Sequence, residues 1–265
     1  MDFSLKRHLT QICATILYNG NFFGLGKIVR ANKVCVPGLN CAYCPGAIAG
    51  CPLGTLQNLF ATGLTRIPFY MLASILLIAL LLGRIICGWL CPFGLLEDLL
   101  YKIPFFKKIR DFKGDKLLRY LKYIILLVMV VILPSMVKLT PFFCKYICPS
   151  GTISGILLMA SNSELFKVVG SIFTWKVIVL SLVVIMSLMI YRPFCKYLCP
   201  LGALYGPFNK ISLIRLKCDK DKCNNCGACS NVCDMRVNPA VNPDSAECIR
   251  CGKCINVCPK NALKY

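Results

Sequence analysis

Eight cysteines near the C-terminal end fall into two runs of identical spacing, and no other feature restricts the fold of this chain so tightly. Cys223, Cys226, Cys229 and Cys233 follow C-x2-C-x2-C-x3-C, and Cys248, Cys251, Cys254 and Cys258 repeat it. A cubane iron–sulfur cluster takes one thiolate per iron, and two-residue gaps let successive sulfurs curl round it from one tight loop. In such runs the fourth cysteine reaches across to the other cluster. The spacing predicts two [4Fe-4S] sites, one on Cys223, Cys226, Cys229 and Cys258, the other on Cys248, Cys251, Cys254 and Cys233. Residues 209–265 are read as a small α+β domain of bacterial-ferredoxin type built around them.

The remainder of the 265 residues is apolar enough to need a different solvent. Hydrophobic residues make up 57% of the chain, above the roughly 45–50% of soluble domains, and the mean hydropathy is +0.66. Ile67–Ile86, Tyr120–Val137 and Trp175–Tyr191 approach the roughly 20 residues that cross a bilayer. Leu9–Val29, interrupted by Gln11, Asn19 and Asn21, is read as an uncleaved first span. Leu95–Tyr101 and Ile153–Met159 are too short to span and read as interfacial or re-entrant helices. Residues 1–208 are therefore expected to form an all-α membrane domain of about four transmembrane helices.

Charge orients these spans. Lys102, Lys107, Lys108, Arg110, Lys113 and Lys116 cluster between the second and third, which marks that loop, both termini and the ferredoxin-type domain as cytoplasmic. The excess of 31 Lys and Arg over 11 Asp and Glu is then read as topology and lipid-headgroup contact, not as a nucleic-acid surface. His8 is the single histidine and no C-x-x-C-H occurs, so haem held by two histidines of this chain, or attached covalently, is excluded.

A shorter motif recurs through the apolar part: Cys51-Pro52-Leu53-Gly54, Cys91-Pro92-Phe93-Gly94, Cys148-Pro149-Ser150-Gly151 and Cys199-Pro200-Leu201-Gly202. The last three have a partner four residues upstream, Cys87, Cys144 and Cys195. Proline stops the preceding helix, and glycine is expected to permit a sharp turn that aims both sulfurs at one point. On the topology above, Cys87, Cys91, Cys195 and Cys199 share the cytoplasmic side and supply a third cubane. The outer side holds Cys144, Cys148, Cys51, Cys35, Cys41 and Cys44, where a fourth cluster could use Cys144, Cys148, Cys51 and one of Cys41 or Cys44. Oxidation of a pair such as Cys35 and Cys41 is the alternative on that face. Cys13 reads as a lipid-facing or packing thiol, and Cys218 as a free thiol or spare ligand.

These motifs resemble the NapH/NosR-type membrane iron–sulfur proteins, most specifically in Cys87-Gly88-Trp89-Leu90-Cys91-Pro92, Cys195-Lys196-Tyr197-Leu198-Cys199-Pro200 and the two four-cysteine runs. Proteins of the CcoG type share the same core. The resemblance implies electron transfer between a membrane quinol pool and a redox partner. The pair Cys144/Cys148, the segment Val34–Gly46 with its three cysteines, and Asp234 in place of proline after Cys233 are read as departures from that pattern. The first two turn the expectation toward a membrane-crossing relay.

The relay would run between a cytoplasmic donor, a ferredoxin or flavoprotein drawn to Lys217, Lys220, Lys222, Lys253 and Lys260, and an extracytoplasmic reductase or flavoprotein acceptor. Crossing about 30 Å of hydrocarbon in one step is too slow, so the cluster motifs would have to reach inward. A quinol dehydrogenase subunit feeding a reductase is a second reading, with Glu97 and Asp98 as the acids near the inner site and quinone as a further cofactor. Copper or metal reduction, or an assembly role, is a third.

Overall fold

The computed structural model describes residues 3–23, 35–41, 44–61, 69–104, 107–110, 112–137, 140–161 and 170–265. They are mostly helical. Helix α1 runs Phe3–Tyr18, α2 Pro52–Ala61, α3 Phe69–Leu82, α4 Ile85–Trp89 and α5 Pro92–Lys102. A continuous helix α6 covers Asp115–Met136, followed by α7 Phe142–Tyr146, α8 Pro149–Ser161, α9 Ser171–Met189 and α10 Pro200–Tyr205. The C-terminal part adds α11 Ala228–Asn231, α12 Lys253–Val257 and a two-stranded antiparallel sheet, β1 Lys217–Cys218 against β2 Leu263–Lys264.

Among the described residues, α6 and α9 are long and apolar enough to cross a membrane, with mean hydropathies of 2.1 and 2.3. Only 22% and 11% of those windows are buried inside the molecule. A core helix of a soluble protein would be covered, whereas Leu127, Ile178, Leu182 and Ile185 face outward, as a lipid-facing helix requires. Pro134 lies near the end of α6; it offers no N–H to the turn before it, and the preceding Leu126–Ile132 segment opens into π-helical turns.

The other two expected spans are shorter as helices. Helix α1 stops at Tyr18, before Asn19-Gly20, and residues 24–29 of the expected Leu9–Val29 span lie outside the described ones. Helix α3 ends at Leu82 rather than running to Ile86; Ile67 lies outside the described residues. The chain turns at Gly83 because Arg84 is drawn inward, where its guanidinium donates to the Ala246 carbonyl at 2.6 Å and pairs with Glu247 at 2.9 Å. The short pieces at Leu95–Tyr101 and Ile153–Met159 are parts of α5 and α8.

One buried core joins these elements. It includes Leu39, Ile86, Phe93, Phe143, Val183, Phe194, Leu201 and Tyr205, together with Cys87, Cys91, Cys148 and Cys199. Helix α6 is its spine: the Phe194–Leu198 turn packs on its first half, α10 on its first half and middle, and α2 on its second half. The N-terminus and C-terminal part meet at one end, where the Phe3 ring lies 6.4 Å from Trp89 and 6.2 Å from Tyr265.

Candidate iron–sulfur sites

The two four-cysteine runs adopt the same backbone. Left-handed φ values occur at Asn225 and Gly227 in the first and at Arg250 and Gly252 in the second, then again at Arg236 and Asn261. Each pair of positions is offset alike from its own first cysteine, so one loop conformation is used twice. Glycine relieves the Cβ clash that this conformation imposes on the residue after the second cysteine. The Val237 N–H donates to the Cys233 sulfur at 3.4 Å and the Ala262 N–H to the Cys258 sulfur at 3.3 Å. These matched contacts favour a thiolate at the fourth cysteine of each run.

The loops sort the thiols into two groups. Cys223, Cys226, Cys229 and Cys258 line one cavity, with Cys218 as a fifth thiol on its wall. Cys233, Cys248, Cys251 and Cys254 line another. The fourth cysteine of each run thus sits with the first three of the other. Of the expected docking lysines, Lys217, Lys220, Lys222 and Lys260 are exposed, while Lys253 is tied to Asp234.

Cys87, Cys91, Cys195 and Cys199 are all buried, and neighbouring thiols of the group help burial to raise the pKa values of Cys91, Cys195 and Cys199. Burial and the neighbouring Cys87 push the Cys91 thiol up to about 11. Cys91 and Cys199 occupy the N-cap positions of α5 and α10, with Pro92 and Pro200 as the first helical residues. Proline here starts the next helix, its fixed φ and missing N–H being suited to that place. The glycine does not make the expected turn. A Cβ on Gly94 would lie 2.9 Å from the Cys87 carbonyl oxygen and 3.1 Å from the Arg192 guanidinium, and one on Gly202 would meet Arg84 at 3.1 Å and the Cys195 carbonyl oxygen at 3.3 Å. Glycine is needed there for room.

Those two arginines tie the pairs together reciprocally. Arg84 donates to the Cys195 carbonyl at 3.0 Å, and Arg192 donates to the Cys87 carbonyl at 2.6 Å. Each stands three residues before the first cysteine of its own pair and bonds to that of the other. Arg192 also grips Asp98 through two bonds, at 2.7 and 2.6 Å, and Asp98 takes a third from Arg7 at 2.9 Å. Burial would raise the Asp98 carboxyl, but the guanidiniums outweigh it and hold the group below its usual range. Burial pushes neighbouring Glu97 up to about 7, against the pull of Cys195 and Arg192. Sequence reasoning passed over both arginines; the repeated R-x2-C-x3-C-P was the available signal.

A fourth group forms between α2, α7 and α8. Cys41, Cys51, Cys144 and Cys148 line a cavity of about 320 Å³ with Lys145 and Lys176 on its wall. Of the two candidates for its last thiol, Cys41 is the one brought to Cys144 and Cys148, while Cys44 lines a separate cavity of about 330 Å³. Cys35 lies 3.7 Å from the Thr55 hydroxyl, Cys13 is exposed on α1, and all twenty cysteines are free.

The donor sets suit cubane clusters. Four soft sulfurs are gathered in each group, one thiolate for each of the four irons of a cubane.

Two family models, both described as a 4Fe-4S binding domain, match the chain. One matches residues 64–113, 122–162 and 172–218, together more than half of it, and the other residues 241–264. The chain belongs to the 4Fe-4S binding, ferredoxin-type family. Each of the three segments holds one C-x3-C-P pair, Cys144 and Cys148 among them. Among ferredoxin-type relatives, NapH of Haemophilus influenzae is 29% identical over 69% of this chain and 59% of its own length. The methylamine utilization ferredoxin-type protein MauN of Paracoccus denitrificans is 28% identical over 86% of this chain and 75% of its own. An uncharacterised protein of Methanocaldococcus jannaschii is 32% identical over 68% of this chain and 61% of its own. The chain thus spans about three fifths of the lengths of NapH and the archaeal relative. No solved structure matches it.

Proposed function

We propose that this ferredoxin-type protein is a membrane-bound iron–sulfur electron relay with four [4Fe-4S] sites in series, two in a ferredoxin-type domain at 209–265 and two in a membrane domain at 1–208. When bound, each cubane accepts and releases one electron at a potential set by its surroundings. The ligand sets are Cys223, Cys226, Cys229 and Cys258; Cys248, Cys251, Cys254 and Cys233; Cys87, Cys91, Cys195 and Cys199; and Cys41, Cys51, Cys144 and Cys148.

One contact carries the reading. The Cys248–Cys251 loop rests directly on the Cys87–Cys91 loop: the Trp89 indole N–H donates to the Arg250 carbonyl at 3.0 Å, and a Cβ on Gly88 would lie 2.3 Å from the Ile249 carbonyl oxygen. Arg84 and Lys122 hold Glu247, and Asn209 donates to the Ser245 and Cys248 carbonyls, both at 2.8 Å. From the second site to the third, no bilayer needs crossing. The last link uses the segment beyond Val36: a Cβ on Gly38 would lie 3.2 Å from the Cys91 Cα, Leu39 lines the Cys41/Cys51/Cys144/Cys148 cavity, and the Tyr205 hydroxyl donates to the Pro37 carbonyl at 3.4 Å. These contacts support a relay, which needs such closely spaced steps to pass about 30 Å of hydrocarbon.

Cytoplasmic termini and a multi-pass topology agree with the basic loop and with the meeting of Phe3, Trp89 and Tyr265. The exposed lysines beside the first site suit an acidic ferredoxin or flavoprotein as donor. A quinol-oxidising role is a second reading, favoured by the 330 Å³ cavity, where Leu39, Phe93, Leu96, Ile153 and Leu157 meet Asn19 and Asn40.

Iron and acid-labile sulfide on protein purified without oxygen test the relay. About sixteen irons per chain are expected, and about eight would confine clusters to the ferredoxin-type domain. Cys226→Ala and Cys251→Ala should each remove one EPR signal while the protein stays in the membrane fraction. Cys91→Ala and Cys199→Ala should remove the same signal as each other; different losses would show that the two pairs serve different centres.

A further inference from the structure

The two membrane-domain sites share one plan with a single exchange. Glu97 follows Cys91-Pro92-Phe93-Gly94 at the spacing with which Gln57 follows Cys51-Pro52-Leu53-Gly54. Both side chains are wholly buried. The Glu97 Oε1 accepts the Phe194 N–H at 2.8 Å, and the Gln57 Oε1 accepts the Phe143 N–H at 3.0 Å. Phe194 and Phe143 each immediately precede the first cysteine of a C-x3-C-P pair, Cys195 and Cys144. A carboxyl and an amide therefore do the same job on one side, fixing where the chain enters the pair.

On the other side they differ. A backbone N–H can only donate, so the amide oxygen of Gln57 must face Phe143, and the amide nitrogen is thereby turned toward the sulfur. Gln57 Nε2 donates to the Cys144 sulfur at 3.2 Å, with a longer contact to the Leu53 carbonyl at 3.4 Å. The second carboxyl oxygen of Glu97 is buried with no hydrogen-bond partner, and the ionised group lies beside Cys195 with no hydrogen to donate. A hydrogen bond to a ligand sulfur withdraws electron density from it and raises the reduction potential of the centre it holds.

Building on the four-site reading, we propose that Gln57 is a positioning residue that raises the reduction potential of the centre on Cys41, Cys51, Cys144 and Cys148 through its N–H on the Cys144 sulfur. The matched site, with an ionised Glu97 in that place, lacks this upward shift.

Redox titration of the full-length protein, followed by EPR, tests this with Gln57→Glu, Gln57→Leu and Glu97→Gln. Titrated well above pH 7, so that its buried carboxyl is ionised, Gln57→Glu keeps an acceptor for the Phe143 N–H and loses the donor. Iron and sulfide should match the wild type in Gln57→Glu, with one centre titrating at lower potential and the others unmoved. Gln57→Leu should move the same centre the same way, and Glu97→Gln should move a different centre upward. An unchanged potential in fully loaded Gln57→Glu overturns the proposal, as does loss of iron from both Gln57 variants, which would make the residue purely structural. A wild-type protein holding about eight irons would instead bring down the four-site reading on which the proposal stands.

Discussion

In Arg192→Leu protein the Cys87/Cys91/Cys195/Cys199 site is expected to come apart. Arg192 is wholly buried and joins two loops that are distant in sequence, donating to the Cys87 carbonyl and twice to Asp98. Leucine fills much of the volume but leaves Asp98 buried with Arg7 as its remaining charged partner. Removing one member of a buried ion pair costs roughly 3–5 kcal/mol, because the other charge stays out of water. Thermal unfolding in detergent should show that loss, together with the EPR signal assigned to this site. Arg192→Lys keeps the charge but cannot reproduce the fork that bonds Asp98 and the carbonyl at once, so it should lose less stability and still weaken the signal. Wild-type stability and loading in both variants would refute the clamp. The sign of the acid response follows from the depressed Asp98 carboxyl. Its contribution is complete above the unfolded value of about 4 and is lost as pH falls through the lower folded value. The Asp98→Asn variant should therefore lose less of its stability over that acidic window than the wild type.

Gly88→Val should undock the C-terminal part while leaving its two centres intact. The Cβ position at Gly88 lies 2.3 Å from a backbone oxygen of Ile249, and backbone cannot step aside as the end of a side chain can. Overpacking of this kind costs roughly 1–3 kcal/mol, and here it falls on the contact that joins the second and third sites. Limited proteolysis should release a C-terminal fragment from the variant faster than from the wild type. Electrons supplied to that part should no longer reach the membrane-domain centres at the wild-type rate, with iron content unchanged. Unaltered transfer in a variant whose proteolysis shows undocking would remove the observation on which the relay reading rests.

Much of the protein was legible in the residue order because cluster chemistry and helix formation are local. The C-x2-C-x2-C-x3-C runs stand out by spacing alone, since the loop conformation that such spacing marks is set within a few residues. The apolar runs of α6 and α9 announce themselves because every residue there must suit lipid. Helices α1 and α3 were harder to bound. Their ends depend on where Asn19-Gly20 and Gly83-Arg84 turn, and the second of these answers to Ala246 and Glu247, far along the chain.

Residue order by itself determined the two ferredoxin-type cysteine runs, the repeated C-P-x-G motif and the two long apolar helices, each by interactions within a few residues of one another. Only the tertiary structure decided which pairs meet: that Cys41 and not Cys44 joins Cys51, Cys144 and Cys148, that Arg84 and Arg192 cross between loops, and that the Cys248–Cys251 loop lies on Gly88 and Trp89. These contacts link residues that lie from about ten to more than a hundred and sixty positions apart, and they exist because buried charges and buried backbone groups must find partners wherever the packed helices bring one.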